Sequence, residues 1–160
     1  MRKKLEALLS RAAEVRRIAE RLAVNNRRLE GLCAPCSMAL LVALHSDGIA
    51  AELACGRYGD ELLGTPHTWI ESCGLIVDVT ATQFHWNLAK VFTCPIGHAK
   101  YFPRKRFPDP GGLLLNMTPM SRAFFLDMAG VRYSVADLHD DDWLEIRTTS
   151  LACVGSTRKK

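Results

Sequence analysis

No stretch of the sequence approaches the ~18 consecutive apolar residues of a membrane span, and no segment repeats. The basic start, Met1-Arg2-Lys3-Lys4, runs into leucines alternating with charge. It lacks the apolar centre of roughly 7–15 residues that a secretory signal carries. A cytoplasmic location is therefore expected, where thiols stay reduced. In that compartment the six cysteines read as free, catalytic or metal-bound, not as a disulfide framework. Neither sign of charge is in large excess: 21 Lys+Arg against 17 Asp+Glu leave +4, a poor argument for nucleic acid. Apolar residues at 48% and charged ones at 24% exclude collagen-like, low-complexity and disordered chains. The 160 residues suit one domain, 1–160, with a core large enough to need no disulfide staples.

The basic excess is local. Residues 1–32 hold nine Lys+Arg against four Asp+Glu, and the rest of the chain twelve against thirteen. Within 1–28, residues 3–23 predict an amphipathic helix. Leu5, Leu8, Leu9, Ala12, Val15, Ile18, Ala19 and Leu22 recur at three- and four-residue steps. Arg11, Arg16, Arg17 and Arg21 decorate the remainder, and Asn25-Asn26 should end it. Its basic face reads as a solvated surface, with docking to an acidic partner, RNA or a membrane surface as the alternative.

A second helix is expected over 34–46, apolar almost all round and hence buried. Pro35 fits only its first turn, and Asp47-Gly48 ends it. Strands follow at Ile49–Cys55, His67–Glu71 and Leu75–Thr80, with a loop over Arg57–Pro66. The last two strands form a hairpin around Ser72-Cys73-Gly74. Residues 94–119 hold five of the seven prolines and read as an irregular loop or lid. Thr118-Pro119 then caps a helix that stops at Gly130. Val131–Val135 is a candidate strand, and Asp140-Asp141-Asp142 a candidate cap for a last element. The fold class expected is α+β, with the buried helix packed on a small antiparallel sheet.

Cys33 stands where that helix begins, after Gly31-Leu32. Unpaired N–H groups and the positive end of the helix dipole favour a thiolate there. His67 and Asp78 meet across the hairpin in either of two registers. A Ser72-Cys73 turn puts them directly opposite; a Cys73-Gly74 turn pairs Asp78 with Trp69 and leaves His67 diagonal on the same face. A three-residue loop would separate them. Asp78 would then orient His67, His67 would deprotonate Cys33, and Trp69 would shield the pair from water.

Together, Gly31-Leu32-Cys33, Gly48-Ile49, His67-Thr68-Trp69-Ile70 and Asp78-Val79-Thr80 resemble the transglutaminase-like branch of the papain-fold enzymes. The likeness spans 29–84, and its tail, Asp78 through Thr82-Gln83-Phe84, resembles small bacterial and phage-type members. It implies a papain-like core with a Cys33, His67, Asp78 triad that transfers acyl groups from amides. A cysteine peptidase acting on a protein or peptide is favoured. The same triad also serves a glutamine deamidase, transglutaminase or acyltransferase. The oxyanion donors are open: the Cys33 N–H comes first, with Gln83 and Asn26 as candidates for a second. Cys36 is the rival nucleophile, since Cys-x-x-Cys-Ser superficially resembles the papain motif, or else a packing or resolving thiol. No cofactor is expected. Zinc at Cys33/Cys36 with Cys94/His98 has ligand-like pair spacings but would sit inside a buried helix. Cys55, Cys73 and Cys153 read as strand, turn and late core residues.

Lys100–Phe107 mixes cations and aromatics. It reads as a loop pinned by its rings and forming one wall of the cleft, with base stacking as the weaker alternative. His85 and Trp86 fall near the cleft without an assigned role. The competing class is a non-catalytic module that binds nucleic acid or an acidic protein through the first helix and this segment.

Overall fold

The structure is a computed structural model and describes residues 2–23 and 29–140. It is α+β. A five-stranded antiparallel sheet has the order β4-β3-β2-β1-β5. The strands are β1 (Ala51–Tyr58), β2 (Thr65–Ser72), β3 (Leu75–Asp78), β4 (Phe92–Pro95) and β5 (Tyr101–Phe107). The helices are α1 (Arg2–Leu22), α2 (Cys33–Ser46), α3 (Pro110–Leu115) and α4 (Pro119–Met128). Among the described residues no helix is long and apolar enough to cross a membrane.

Helix α2 is apolar on every side because it is covered on every side. Leu40, Leu41 and Leu44 pack with Leu8, Val15 and Ala19 of α1 and with Leu53, Ile70 and Val77 of the sheet. Val42 and Ala43 meet Leu114 of α3 and Leu126 of α4. The other sheet face carries an aromatic cluster of Trp69, Tyr58 and Tyr101 with Ile76 and Cys94, against Phe84 and Phe92.

Helix α1 forms as its periodicity predicts, but two of its arginines are engaged within the protein and one of them is buried. Arg11 pairs with Asp47 at the end of α2 (2.6 Å). Arg16 is 7% exposed and donates to the Val79 and Lys90 carbonyls and to the Thr82 hydroxyl, with Glu20 beside it. The segment after β3 has no ladder partner for these carbonyls, and the guanidinium fork supplies one. Arg16→Met is expected to cost about 2–4 kcal/mol, because it strands buried acceptors. A lower urea midpoint at unchanged m checks this. The end of α1 at Asn25-Asn26 lies outside the described residues.

Residues 94–119 are not an irregular lid: they contain the end of β4, all of β5, and α3. The prolines punctuate these elements instead of breaking them. Pro103 sits on an edge strand, where a missing N–H is tolerated, beside the bulge at Cys55/Gly56. Asp109 caps α3 by accepting from the Gly111 and Gly112 N–H groups, with Pro110 in its first turn. Gly56 is required at the bulge, since a Cβ there would lie 2.0 Å from the Phe102 carbonyl oxygen.

Thr118 caps α4 as expected, accepting from Ser121 N–H, with Pro119 in the first turn. The strand expected at Val131–Val135 does not form. Val131 N–H closes back on the Leu126 carbonyl, and Ser134 N–H bonds the Asp137 carboxylate. These polar groups are satisfied locally, with no strand edge beside them. Asp140 lies at the end of the described chain, and the cap expected at Asp141-Asp142 falls outside it.

Candidate active site

Gly31, with φ +80°, turns the chain into α2. The N-cap is Leu32, which has no side-chain oxygen to offer the first turn. Pro35 has no N–H, and the Cys36 N–H bonds the Leu32 carbonyl (3.0 Å). The N–H groups of Cys33 and Ala34 therefore have neither a side-chain cap nor an intrahelical acceptor. They surround the Cys33 thiol with positive potential.

Ser72 pairs with Leu75, so the hairpin turn is Cys73-Gly74. Both residues have positive φ, +54° and +79°, as a type I′ turn requires. Of the two registers that the sequence allows, this is the one that pairs Asp78 with Trp69. His67 is diagonal to Asp78, and its Nε2 lies 2.7 Å from Asp78 Oδ2. Both side chains are fully buried.

Asp78 collects four donors. Oδ2 accepts from His67 Nε2 and from the Tyr101 hydroxyl (2.9 Å). Oδ1 accepts from the Thr80 N–H (2.8 Å) and hydroxyl (3.0 Å). With Nε2 committed to Asp78, Nδ1 is the nitrogen left on the side of Cys33, whose sulfur contributes to the raised His67 pKa. Burial opposes the imidazolium. The hydrogen bond to Asp78, with the negative charge of Asp78 and Cys33, outweighs it and pushes the His67 pKa up to about 9.

Cys33 shows the complementary shift. Burial opposes its thiolate, yet the neighbouring His67 and Thr68 and the imidazolium charge hold its pKa below the usual thiol range. Burial instead pushes Cys36 up to about 12, raises Cys55, and pushes Cys94 up to about 11. A buried thiol whose pKa is raised is a poor nucleophile, and of the two α2 cysteines Cys33 has the lowered pKa. Cys73 is exposed in the hairpin turn, and Cys153 lies outside the described residues.

A ring of aromatics encloses the imidazole. Phe84 meets it edge-on at 4.8 Å between centroids, with Trp69 at 5.9 Å, Tyr58 at 6.2 Å and Tyr101 at 6.3 Å. Trp69 thus sits where shielding requires, but its indole N–H donates to Glu71, so it is not an oxyanion donor. Gln83 reaches the site: its Nε2 is 3.4 Å from His67 Nδ1 and 3.3 Å from the Thr80 hydroxyl. Asn26 lies outside the described residues. Trp86 is 91% exposed, and Phe84 is the aromatic of that stretch that touches His67.

Three contributors escaped the sequence reading. Tyr101 arrives on β5, which the prolines disguised as loop. Tyr58 extends β1 beyond its expected end and stacks on Phe84 at 3.9 Å. Thr68 follows His67, and its carbonyl accepts from Ser37 of α2 (3.1 Å). Its hydroxyl is buried without a hydrogen-bond partner, and its nearness to Cys33 helps to lower that thiol's pKa. Thr68→Val is expected to raise the Cys33 pKa while Thr68→Ser preserves it. The pH dependence of Cys33 alkylation in both variants reads this out.

The zinc pairing does not assemble. Cys36 packs in the core on the α2 side of the sheet, whereas Cys94 packs in the cluster on the opposite face. Among the described residues no group of three or more His, Cys, Asp or Glu could hold a metal ion. Comparison of the chain with protein-family models, with curated proteins and with solved structures gave no match.

Proposed function

We propose that this chain is a thiol-dependent acyl-transfer enzyme, a cysteine peptidase with a papain-like, transglutaminase-type core. The observation that carries the reading is the buried His67–Asp78 pair at 2.7 Å, with an uncapped helix start that bears Cys33, a thiol whose pKa His67 lowers. The Cys33 thiolate attacks an amide carbonyl, and the C–N bond breaks as His67 gives its proton to the leaving amine. The Cys33 N–H, joined by the Gln83 amide, stabilises the oxyanion. Water, deprotonated by His67, then releases the acid and regenerates the thiol. An amine in place of water would make the product an amide.

The binding-module reading has less support. Arg11 and Arg16 of α1 are engaged within the protein. On β5, Arg104 bonds the Glu61 carbonyl, Arg106 pairs with Glu71, and Lys105 lies over the Phe107 ring. An acidic partner for α1 and a nucleic acid are therefore secondary proposals. A reducing, cytoplasmic setting suits a working thiolate.

The pH dependence has a definite sign. Raising the pH ionises Cys33 below the usual thiol range and increases kcat/KM. Passing about pH 9 removes the His67 proton that the leaving amine needs, and kcat/KM falls. The stability that protonated His67 contributes is full below about pH 6.5 and is lost through about pH 9.

Mass spectrometry on a synthetic peptide mixture tests the function. The mixture contains backbone amides, lysine isopeptide bonds and glutamine side chains, with and without hydroxylamine as acceptor. The expected result is chain or isopeptide cleavage with a transient acyl adduct on Cys33. Conversion of glutamine to glutamate, or hydroxamate formation without cleavage, would replace the peptidase by a deamidase or transglutaminase. No adduct with any amide would overturn the acyl-transfer reading.

A further inference from the structure

We propose that Cys36 is a resolving thiol, so that peroxide oxidation of Cys33 is captured as a Cys33–Cys36 disulfide that reversibly disables the nucleophile. The inference rests on the proposed reading of Cys33 as the reactive thiol.

The two cysteines occupy the ends of Cys33-Ala34-Pro35-Cys36 in the first turn of α2. Residues three apart share a helix face, and helical rise and radius put their Cα atoms about 5 Å apart. That separation lies inside the range of roughly 4.4–6.8 Å that a disulfide spans. The backbone can adjust at little cost. Cys33 and Ala34 have no intrahelical acceptor for their N–H groups, Pro35 has no N–H, and only the Cys36 N–H bonds the Leu32 carbonyl.

Access is asymmetric. Cys33 is half-buried, while Cys36 has no exposed surface. Oxidants and external thiols therefore meet Cys33 first.

The chemistry balances. The Cys33 thiolate attacks a peroxide oxygen; an S–O bond forms, the O–O bond breaks, and hydroxide (or alkoxide) leaves. Cys36 sulfur then attacks Cys33 sulfur. The S–S bond forms, and the sulfenic hydroxyl leaves with the Cys36 proton as water. Part of the upward shift at Cys36 comes from the Cys33 charge, which oxidation removes. An external dithiol restores both thiols through a mixed disulfide at Cys33, the accessible sulfur. Cys55 is the competing partner, since it too feels the Cys33 charge.

The test treats the full chain with hydrogen peroxide, then maps cysteines by non-reducing mass spectrometry and by iodoacetamide labelling. Wild type is expected to lose two hydrogens in a bond mapped to Cys33 and Cys36. Rapid labelling of Cys33 should disappear and return with dithiothreitol. In Cys36→Ala and Cys36→Ser, Cys33 should instead gain two or three oxygens, and dithiothreitol should restore nothing. A Cys33–Cys55 bond overturns the proposal. So does a wild type that reaches sulfinic acid as readily as either variant. In these cases a fast-labelling Cys33 before oxidation leaves the enzyme reading intact. If untreated Cys33 labels no faster than the exposed Cys73, the enzyme reading fails and this inference fails with it.

Discussion

Asp78→Ala is expected to lose stability and activity together. The carboxylate is 1% exposed and receives His67 Nε2, the Tyr101 hydroxyl and both donors of Thr80. Removing it leaves these donors buried without an acceptor and His67 without its counter-charge. The cost is about 3–5 kcal/mol, the range for breaking a buried charge pair. Activity should fall on the order of 10⁴-fold, because the imidazole loses the partner that fixes its tautomer. Asp78→Asn separates the two effects. Its amide oxygen can still accept from His67 and Tyr101, while its NH₂ faces the Thr80 donors. The variant should fold, lose part of its stability, and shift the alkaline limb of kcat/KM below the wild-type value of about 9, since the negative charge that raises His67 is gone. An alkaline limb unchanged in Asp78→Asn would mean that Asp78 does not set the His67 proton.

His67→Ala is the second large effect. It removes the proton acceptor for Cys33 and the donor for the leaving amine in one step, so acylation should slow on the order of 10³–10⁴-fold. The fold should suffer less than in Asp78→Ala, because Tyr101 and Thr80 still satisfy the carboxylate. The two variants thus differ in kind: one is crippled chemically with a moderate stability loss, the other fails on both counts. Acylation rates from the growth of the Cys33 adduct, read beside urea midpoints, distinguish them.

What the sequence made legible is what short-range rules govern. Gly31 before Cys33, Pro35 in a first turn and an unbroken apolar run locate α2 and its first residue without reference to the rest of the chain. The hairpin between His67 and Asp78 is local too, and period-two alternation limited it to two workable registers. The choice between them depended on positive φ at Cys73 and Gly74, which a Ser-Cys-Gly sequence leaves open.

The missed parts are those that distant pairing creates. β5 is a strand because β1 lies beside it, and its proline is harmless only at an edge. With β5 misread, Tyr101 could not be placed on Asp78, 23 residues away. Arg16 looked like one more surface cation in a basic helix. Its burial follows from carbonyls 63 and 74 residues downstream that have no strand to bond. Thr68 carried no signal beyond standing after His67, since its function depends on how α2 docks on β2.

The most direct test of the central claim is the rate at which each cysteine of the native protein reacts with iodoacetamide at about pH 6. Exposure alone would favour Cys73, which lies open in the hairpin turn, over the half-buried Cys33. Thiolate character favours Cys33, whose pKa is lowered despite burial. Cys33 labelled first, well ahead of Cys73, is the result that the triad predicts. Cys73 labelled first, with Cys33 no faster than Cys36, Cys55 or Cys94, would contradict it.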